Sequence, residues 1–279
     1  MNAFWVGKLR CASVRLGAIA AACMLAACVT PAQRYERRAA QLGFTASTLR
    51  GDGFEHRAFA NEAAQTASQA AALHVYIEHD GTPWASRDRV AEDPTPRTPF
   101  ALELMAKDAG PRLLLGRPCY FQPQTKPPCS ALLWTHERYS PQVLASMVAA
   151  LRRYLAVHPF RHIVLVGYSG GGTLAWLMAS QVPEVTTLVT IAASLDVDAW
   201  ARLHRYSALA GSLNPATAPS LPLSIAEWHY VGARDTNVPP AVLYAFARRH
   251  PRARIIEVAG FDHVCCWVDR WPGMLPVRQ

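Results

Sequence analysis

The stretch Ile163-Val164-Leu165-Val166-Gly167-Tyr168-Ser169-Gly170-Gly171-Gly172-Thr173 decides the fold of this chain. Its apolar beginning predicts a buried strand, and the Ala- and Leu-rich run at 174–181 predicts a helix. Between them a serine stands in the pattern Gly167-x-Ser169-x-Gly171. Glycines at these positions let the strand and the helix approach closely, so the turn between them can be sharp. We therefore predict that Ser169 has a strained backbone above a helix N-terminus, where the N–H of Gly170 can bind a developing oxyanion.

A simpler interpretation of the same residues is a glycine-rich turn in which Ser169 only caps the helix. Patterns with three fixed positions recur by chance, so the motif needs support from the rest of the chain. A nucleophilic serine requires a base that takes its proton and a group that orients the base. The two interpretations therefore differ in what other residues must follow.

Strand and helix patterns alternate along most of the chain. This alternation predicts a mostly parallel sheet with crossover helices. The predicted strands are 53–60, 73–78, 112–115, 163–166, 186–192, 225–231 and 254–259. We assign this domain to 51–279 and expect 29–50 to be a linker with a short helix. The longest late connection, 200–223, is too short for a full lid and predicts a small cap.

Two further motifs follow predicted strands. Asp235 stands in the sequence Gly232-Ala233-Arg234-Asp235-Thr236-Asn237-Val238-Pro239, and His263 follows the last strand. The carboxyl ends of parallel strands share one edge of a sheet, so Ser169, Asp235 and His263 are expected to meet there. In that arrangement the serine attacks a carbonyl carbon, the histidine takes its proton and the aspartate orients the histidine.

Other residues compete for the roles of acid and base. Asp196 and Asp198 follow the strand after the serine, and either is an alternative acid. His79 lies near the loop expected to bind the oxyanion, but it precedes the serine in the chain. Asp262 is adjacent to His263 and is expected to point elsewhere. The residues flanking Asp235 favour it over these alternatives.

The order Ser169, Asp235, His263, together with the glycine-flanked serine, resembles the α/β-hydrolase superfamily. The resemblance covers about Leu73 to Trp267. It implies an α/β-hydrolase fold with a mostly parallel central sheet flanked by helices, a small cap or none, and a serine hydrolase of the carboxylesterase or lipase kind. More narrowly, the chain is similar to bacterial lipoproteins of this superfamily that carry Asp-Gly-x-Pro-Trp, Arg-Pro-Cys, Gly-Tyr-Ser-Gly-Gly-Gly and Ser-Leu-Asn-Pro blocks.

The resemblance also implies a second donor to the oxyanion. In this superfamily the loop after a central strand often reads His-Gly-x-Pro, and the residue after the glycine donates its N–H. Here the loop reads Asp80-Gly81-Thr82-Pro83, so Thr82 is the expected partner of Gly170. The simpler interpretation of this loop is a tight Asp-Gly turn.

The first 28 residues are expected to be a leader. A basic segment precedes an apolar run at 16–27, which is too short to span a bilayer comfortably. The run ends in Leu25-Ala26-Ala27-Cys28, which resembles the bacterial lipoprotein box and implies lipidation of Cys28. Val29 follows where an aspartate would imply retention at the inner membrane, so we expect a lipid anchor in the outer membrane, facing the periplasm. An ordinary signal peptide or an uncleaved anchor are the alternatives.

The remaining cysteines are consistent with an oxidising compartment. Cys119 and Cys129 bracket a proline-rich loop and are predicted to form a disulfide. The adjacent Cys265 and Cys266 are expected not to be bridged to each other, because such a bond strains the peptide between them. A metal site of His263 with these two cysteines is a weak alternative, because no second Cys/His cluster has ligand spacing.

The composition narrows the possible functions. The formal net charge of +8 is spread over 279 residues, so we do not predict nucleic-acid binding. The sequence has no phosphate loop, dinucleotide fingerprint or metal motif, and no cofactor is predicted. The expected substrate is a small-molecule or lipid ester, either carboxylic or thio. A peptidase or acyltransferase with the same three residues, or a non-catalytic envelope binding protein, are the alternatives.

Overall fold

The apolar runs of the sequence form one sheet of eight strands, in the order β1-β2-β4-β3-β5-β6-β7-β8. The computed structural model describes residues 29–66, 71–121 and 127–276, so the predicted leader and lipidated Cys28 lie outside the described residues. The strands are β1 Thr45–Arg50, β2 Glu55–Ala60, β3 Leu73–Ile77, β4 Arg112–Leu115, β5 Ile163–Tyr168, β6 Val185–Ile191, β7 Ala226–Gly232 and β8 Arg254–Val258. β2 runs antiparallel to β1 and β4, and the other pairs are parallel, which confirms the predicted sheet.

Helices connect these strands. They are α1 Pro31–Gln41, α2 Glu62–Thr66, α3 Phe100–Lys107, α4 Pro141–Val157, α5 Gly170–Ala179, α6 Val197–Leu203, α7 Pro240–Ala247 and α8 Trp267–Arg270. The Ser140 side chain caps α4 by accepting the N–H of Val143, and Pro141 opens the helix, as such a sequence favours. None of the helices in the described ranges is long and apolar enough to cross a membrane.

The strands at the centre of the sheet have apolar sequences because both of their faces are covered. All six residues of β5 and all ten residues of α5 are buried. A strand that is buried on both faces has no polar alternation, which is why the sequence shows a continuous apolar run at this point. The helix and strand that flank Ser169 thus lie in the interior of the protein, and the serine lies at their junction.

The folded part begins earlier than the sequence predicts. The short helix expected within 29–50 is α1, but 45–50 form the edge strand β1 instead of a linker, and β1 pairs with β2 from Thr45↔Ala60 to Arg50↔Glu55. The residues of β1 are exposed or half-buried. An edge strand of this kind is stabilised by backbone hydrogen bonds, so its sequence needs no apolar alternation and carries little signal.

The order of the strands creates the place for a site. The chain passes from β3 to β4 on one side of β3, and then returns to place β5 on the other side. Ligands in sheets of this class bind outside the carboxyl ends of the strands where the direction of connection reverses. The loop after β3 and the serine after β5 both lie at that position.

The structure contains two disulfides among the described residues. Cys119 and Cys129 are bonded, with their Cα atoms 5.6 Å apart, which agrees with the predicted pairing. Cys265 and Cys266 are also bonded to each other, contrary to the expectation. The peptide between them is cis, and their Cα atoms are 3.2 Å apart.

We expect loss of the Cys119–Cys129 disulfide to lower the free energy of unfolding by about 2–3 kcal/mol, because the bond closes a short loop in the unfolded chain. The variant is Cys119→Ala/Cys129→Ala, measured by urea denaturation. Dithiothreitol should destabilise the parent protein but should have a much smaller effect on the double variant. An unchanged unfolding midpoint in the double variant would contradict this prediction.

Candidate active site

Ser169 lies at the end of β5 in the strained conformation that the motif predicts. Its backbone has φ 51° and ψ −124°, and its N–H donates to the carbonyl of Ile191 at 2.8 Å. A side chain at Gly167 would collide with the backbone of Gly171 and Gly172. Only glycine at this position lets the strand pass so close to the helix, and the serine is thereby raised at the edge of the sheet.

His263 connects Ser169 to Asp235. Its Nε2 is 3.2 Å from the Ser169 hydroxyl, and its Nδ1 is 2.8 Å from an Asp235 carboxylate oxygen. With the proton on Nδ1, the histidine donates to Asp235 and leaves Nε2 free to accept the serine proton. The structure therefore brings together three residues that are up to 94 positions apart in the chain, in the geometry that a nucleophile and its base require.

Asp235 is held in one orientation. Its other carboxylate oxygen accepts the N–H groups of Asn237 and Val238, both at 2.8 Å, and only 3% of the residue is exposed. The Asp235 N–H donates to the carbonyl of Gly232 at the end of β7. The turn after β7 thus fixes the carboxylate, which in turn fixes the imidazole of His263.

The competing acids have other roles in the structure. Asp196 caps α6 by accepting the N–H of Ala199 at 3.0 Å. Asp198 accepts a hydrogen bond from Asn214. Asp262 accepts the N–H groups of Val264 and Cys265, and these bonds lower the pKa of its carboxyl group. None of these three carboxylates forms a hydrogen bond to a histidine among the described residues.

His79, the competing base, has both ring nitrogens engaged. Its Nε2 lies 3.0 Å from the carbonyl of Thr98, and its Nδ1 accepts the N–H of Gly81 at 3.0 Å. These two bonds require the tautomer protonated on Nε2. His79 therefore shapes the loop after β3, while His263 is the histidine that contacts the serine.

Tyr168, the residue between Gly167 and Ser169, is a functional candidate that the sequence reasoning missed. Its hydroxyl donates to the carbonyl of His263 at 2.9 Å, and its ring stacks on Phe100 with centroids 4.0 Å apart. Tyr168 thus connects the loop that carries His263 to the turn that carries Ser169. Tyr168 occupies the unspecified position between Gly167 and Ser169, and the motif does not indicate what a side chain at that position contacts.

The prediction that the N–H of Thr82 binds the oxyanion is wrong. Its N–H donates to the carbonyl of Pro94 at 2.9 Å and is not available to an oxyanion. The N–H of His79 is bonded to Glu78 and that of Gly81 to His79, whereas the Asp80 N–H has no acceptor among the described residues. The segment that contains Pro94 lies against Thr82, and the sequence pattern did not predict this contact.

The Asp80 carboxylate is the centre of a buried ionic cluster. It accepts hydrogen bonds from Arg117 at 2.5 Å, Arg138 at 3.0 Å and the Tyr139 hydroxyl at 2.7 Å. Burial opposes ionisation of Asp80, but the two guanidinium groups and the hydroxyl outweigh it and hold the pKa of the carboxyl group well below its usual range. A side chain at Gly170 would collide with this carboxylate, so the cluster lies directly beside the turn that carries Ser169.

A cavity of about 1010 Å³ opens beside Ser169 and His263. One wall comes from α6 and the residues that follow it, including Trp200, Tyr206 and Leu209, so the segment predicted to be a small cap does border the site. Another part of the wall comes from Thr135, His136 and Arg138. Among the described residues, no group of three or more His, Cys, Asp or Glu side chains is arranged to hold a metal ion.

No family model and no curated protein matches this chain, but solved structures do. An esterase of Pyrococcus furiosus superposes with a TM-score of 0.56 at 13% identity, over 81% of this chain and 85% of that one. An α/β serine hydrolase without a lid from Xanthomonas campestris gives 0.50 at 13% identity, over 81% and 87%. A bacterial membrane phospholipase A gives 0.52 at 15% identity, over 90% of both chains. The chain therefore has the α/β-hydrolase fold.

Proposed function

We propose that this protein is a serine hydrolase that cleaves carboxylic or thio esters through an acyl-enzyme. The observation that carries the proposal is the continuous hydrogen-bonded arrangement of Asp235, His263 and Ser169 beside a large cavity. Proteins of the same fold that are described as an esterase and a phospholipase support this class of reaction. A fold alone does not define an activity, so the proposal depends on the site.

The reaction follows from the positions of the groups. The Ser169 hydroxyl oxygen attacks the carbonyl carbon while Nε2 of His263 takes its proton. The N–H of Gly170, at the N-terminus of α5, and the N–H of Asp80, which has no acceptor among the described residues, bind the oxyanion that forms. His263 then protonates the departing alcohol or thiol, and the acyl group stays on Ser169. A water molecule, deprotonated by His263, releases the acid and restores the serine.

Labelling with a fluorophosphonate tests whether Ser169 is activated. We expect the parent protein to be labelled and Ser169→Ala to be unlabelled. Ser180→Ala is a matched control, because Ser180 is an exposed serine at the opposite end of α5. If the folded parent protein is not labelled, or if Ser169→Ala is labelled equally, the proposal fails. If Ser169 is labelled, comparison of esters, peptides and acyl acceptors as substrates distinguishes an esterase from a peptidase or an acyltransferase.

Asp235→Asn is expected to lower kcat for an ester by about 10³- to 10⁴-fold, because an amide favours the wrong tautomer of the histidine. The measurement is steady-state hydrolysis of a chromogenic ester. Asp198→Asn is the control, since Asp198 is exposed and its carboxylate accepts a hydrogen bond only from Asn214 among the described residues. Near-full activity of Asp235→Asn would mean that another residue is the acid.

We also propose that the protein is anchored to the bacterial envelope by lipidation of Cys28. The sequence resemblance to the lipoprotein box supports this, and more than one acyl chain is needed for a firm anchor. The test is incorporation of labelled palmitate into the full chain in a Gram-negative host. We expect Cys28→Ser to abolish incorporation and Cys23→Ser, within the same leader, to preserve it. Equal incorporation by both variants would refute lipidation at Cys28.

A further inference from the structure

The charged side chains of the cavity beside Ser169 are mostly of one sign, a feature that ester hydrolysis as such does not require. Three arginines line the cavity, Arg87, Arg138 and Arg205. Among the described residues that line it, Asp80 is the one acidic side chain. That carboxylate is already paired with two guanidinium groups, so it does not neutralise the remaining positive charge.

Arg87 and Arg205 are the arginines that remain available. Both side chains are exposed, and neither has a hydrogen bond, an ion pair or a ring contact with another described residue. They belong to separate segments: Arg87 lies in the loop closed by the bridge between Trp84 and Val90, and Arg205 follows the end of α6. Single exposed arginines are common on surfaces, but here two segments distant in sequence each place an unpaired arginine at the same cavity.

Aromatic side chains accompany these arginines. Trp84 and Tyr206 are 40% and 58% exposed, which is unusual for large apolar groups. Trp200 and Phe100 also line the cavity. A ligand that is complementary to this lining has an apolar part that packs against the rings and an anionic group that binds the guanidinium groups.

We propose that the substrate is an amphipathic ester that carries a negative charge, and that Arg87 and Arg205 bind this charge while the aromatic walls bind its apolar part. This inference rests on the proposed ester hydrolysis. The anion is a carboxylate or a phosphate, because planar guanidinium groups bind both. The ester can be a dissolved acid or a lipid with an anionic headgroup, and the two sources share this chemistry.

The first test compares two dissolved esters whose acyl chains have the same number of carbon atoms. These are para-nitrophenyl hydrogen glutarate, which is anionic, and para-nitrophenyl valerate, which is neutral. We expect the parent protein to have the higher kcat/KM for the anionic ester. Arg87→Gln and Arg205→Gln should each lower the ratio of the two values about threefold, and the double variant about tenfold. Added salt should lower the ratio in the parent protein.

Arg89→Gln and Arg202→Gln are matched controls. Arg89 lies in the same loop as Arg87, and Arg202 lies on α6 just before Arg205, but neither lines the cavity. Both control variants should keep the ratio of the parent protein. A ratio that falls equally in the controls would show only an effect of net charge and would overturn the proposal.

The second test uses lipids, with lysophosphatidylglycerol as the anionic ester and lysophosphatidylcholine as its zwitterionic partner. If the protein prefers the anionic ester only among the lipids, and Arg87→Gln and Arg205→Gln remove this preference, the substrate is a lipid. If it prefers the anionic ester only in the first test, the substrate is a dissolved acid. Hydrolysis of valerate with no charge preference in either arm overturns this inference and leaves the proposed function intact. If no ester is hydrolysed and Ser169 is not labelled, the proposed function itself fails.

Discussion

Ser169→Ala is expected to lower kcat for ester hydrolysis by about 10⁴- to 10⁶-fold, and His263→Ala by a similar factor, because the two groups perform one step together. The hydroxyl of Ser169 is the proposed nucleophile, and Nε2 of His263, at 3.2 Å, is the atom that takes its proton. Loss of either atom removes the covalent pathway and leaves the binding of the oxyanion and the substrate. The measurement is steady-state hydrolysis with a chromogenic ester that the parent protein accepts.

The double variant Ser169→Ala/His263→Ala makes this prediction specific. Residues that act as one unit are not additive, so the double variant should be about as inactive as either single variant. If the two losses multiply instead, the residues do not act in one step. Circular dichroism and thermal unfolding should show that all three variants are folded, since the Ser169 and His263 side chains lie at the cavity and are partly exposed.

Asp80→Ala is expected to lower the free energy of unfolding by about 3–5 kcal/mol, which is the usual cost of leaving a buried charge without its partner. Arg117 is 1% exposed and Arg138 is 7% exposed, so neither guanidinium group can recover its hydration. Both depend on the Asp80 carboxylate, as does the Tyr139 hydroxyl. Urea denaturation with two probes measures the loss.

Two further variants define the origin of this loss. Asp80→Asn keeps an oxygen acceptor but removes the charge, so it should also destabilise the protein, by less than Asp80→Ala. Asp88→Asn removes an exposed carboxylate from the following loop and should change the stability by no more than about 0.5 kcal/mol. If Asp80→Ala is as stable as Asp88→Asn, the cluster does not contribute to stability as the structure indicates.

The sequence alone determined the turn that carries Ser169, and with it the class of fold. Close approach of β5 and α5 requires glycine at fixed positions, and the strained serine follows from the same local geometry. The sequence also predicts that Asp235 and His263 lie at the same edge of the sheet, because each follows a predicted strand and parallel strands have their carboxyl ends at one edge. The approach of these two residues to Ser169 therefore follows from the regular alternation of strands and helices.

Only the tertiary structure decided which groups near Ser169 are free and which are already bonded. The N–H of Thr82 is occupied by the carbonyl of Pro94, and the carboxylate of Asp80 by Arg117 and Arg138. These partners come from other loops, so no pattern around residue 80 indicates them. Buried polar groups form hydrogen bonds with the partners that the fold places near them, and packing between distant segments determines which partners these are. For the same reason, only the tertiary structure shows that Arg87 and Arg205 lie at the cavity without a side-chain partner among the described residues.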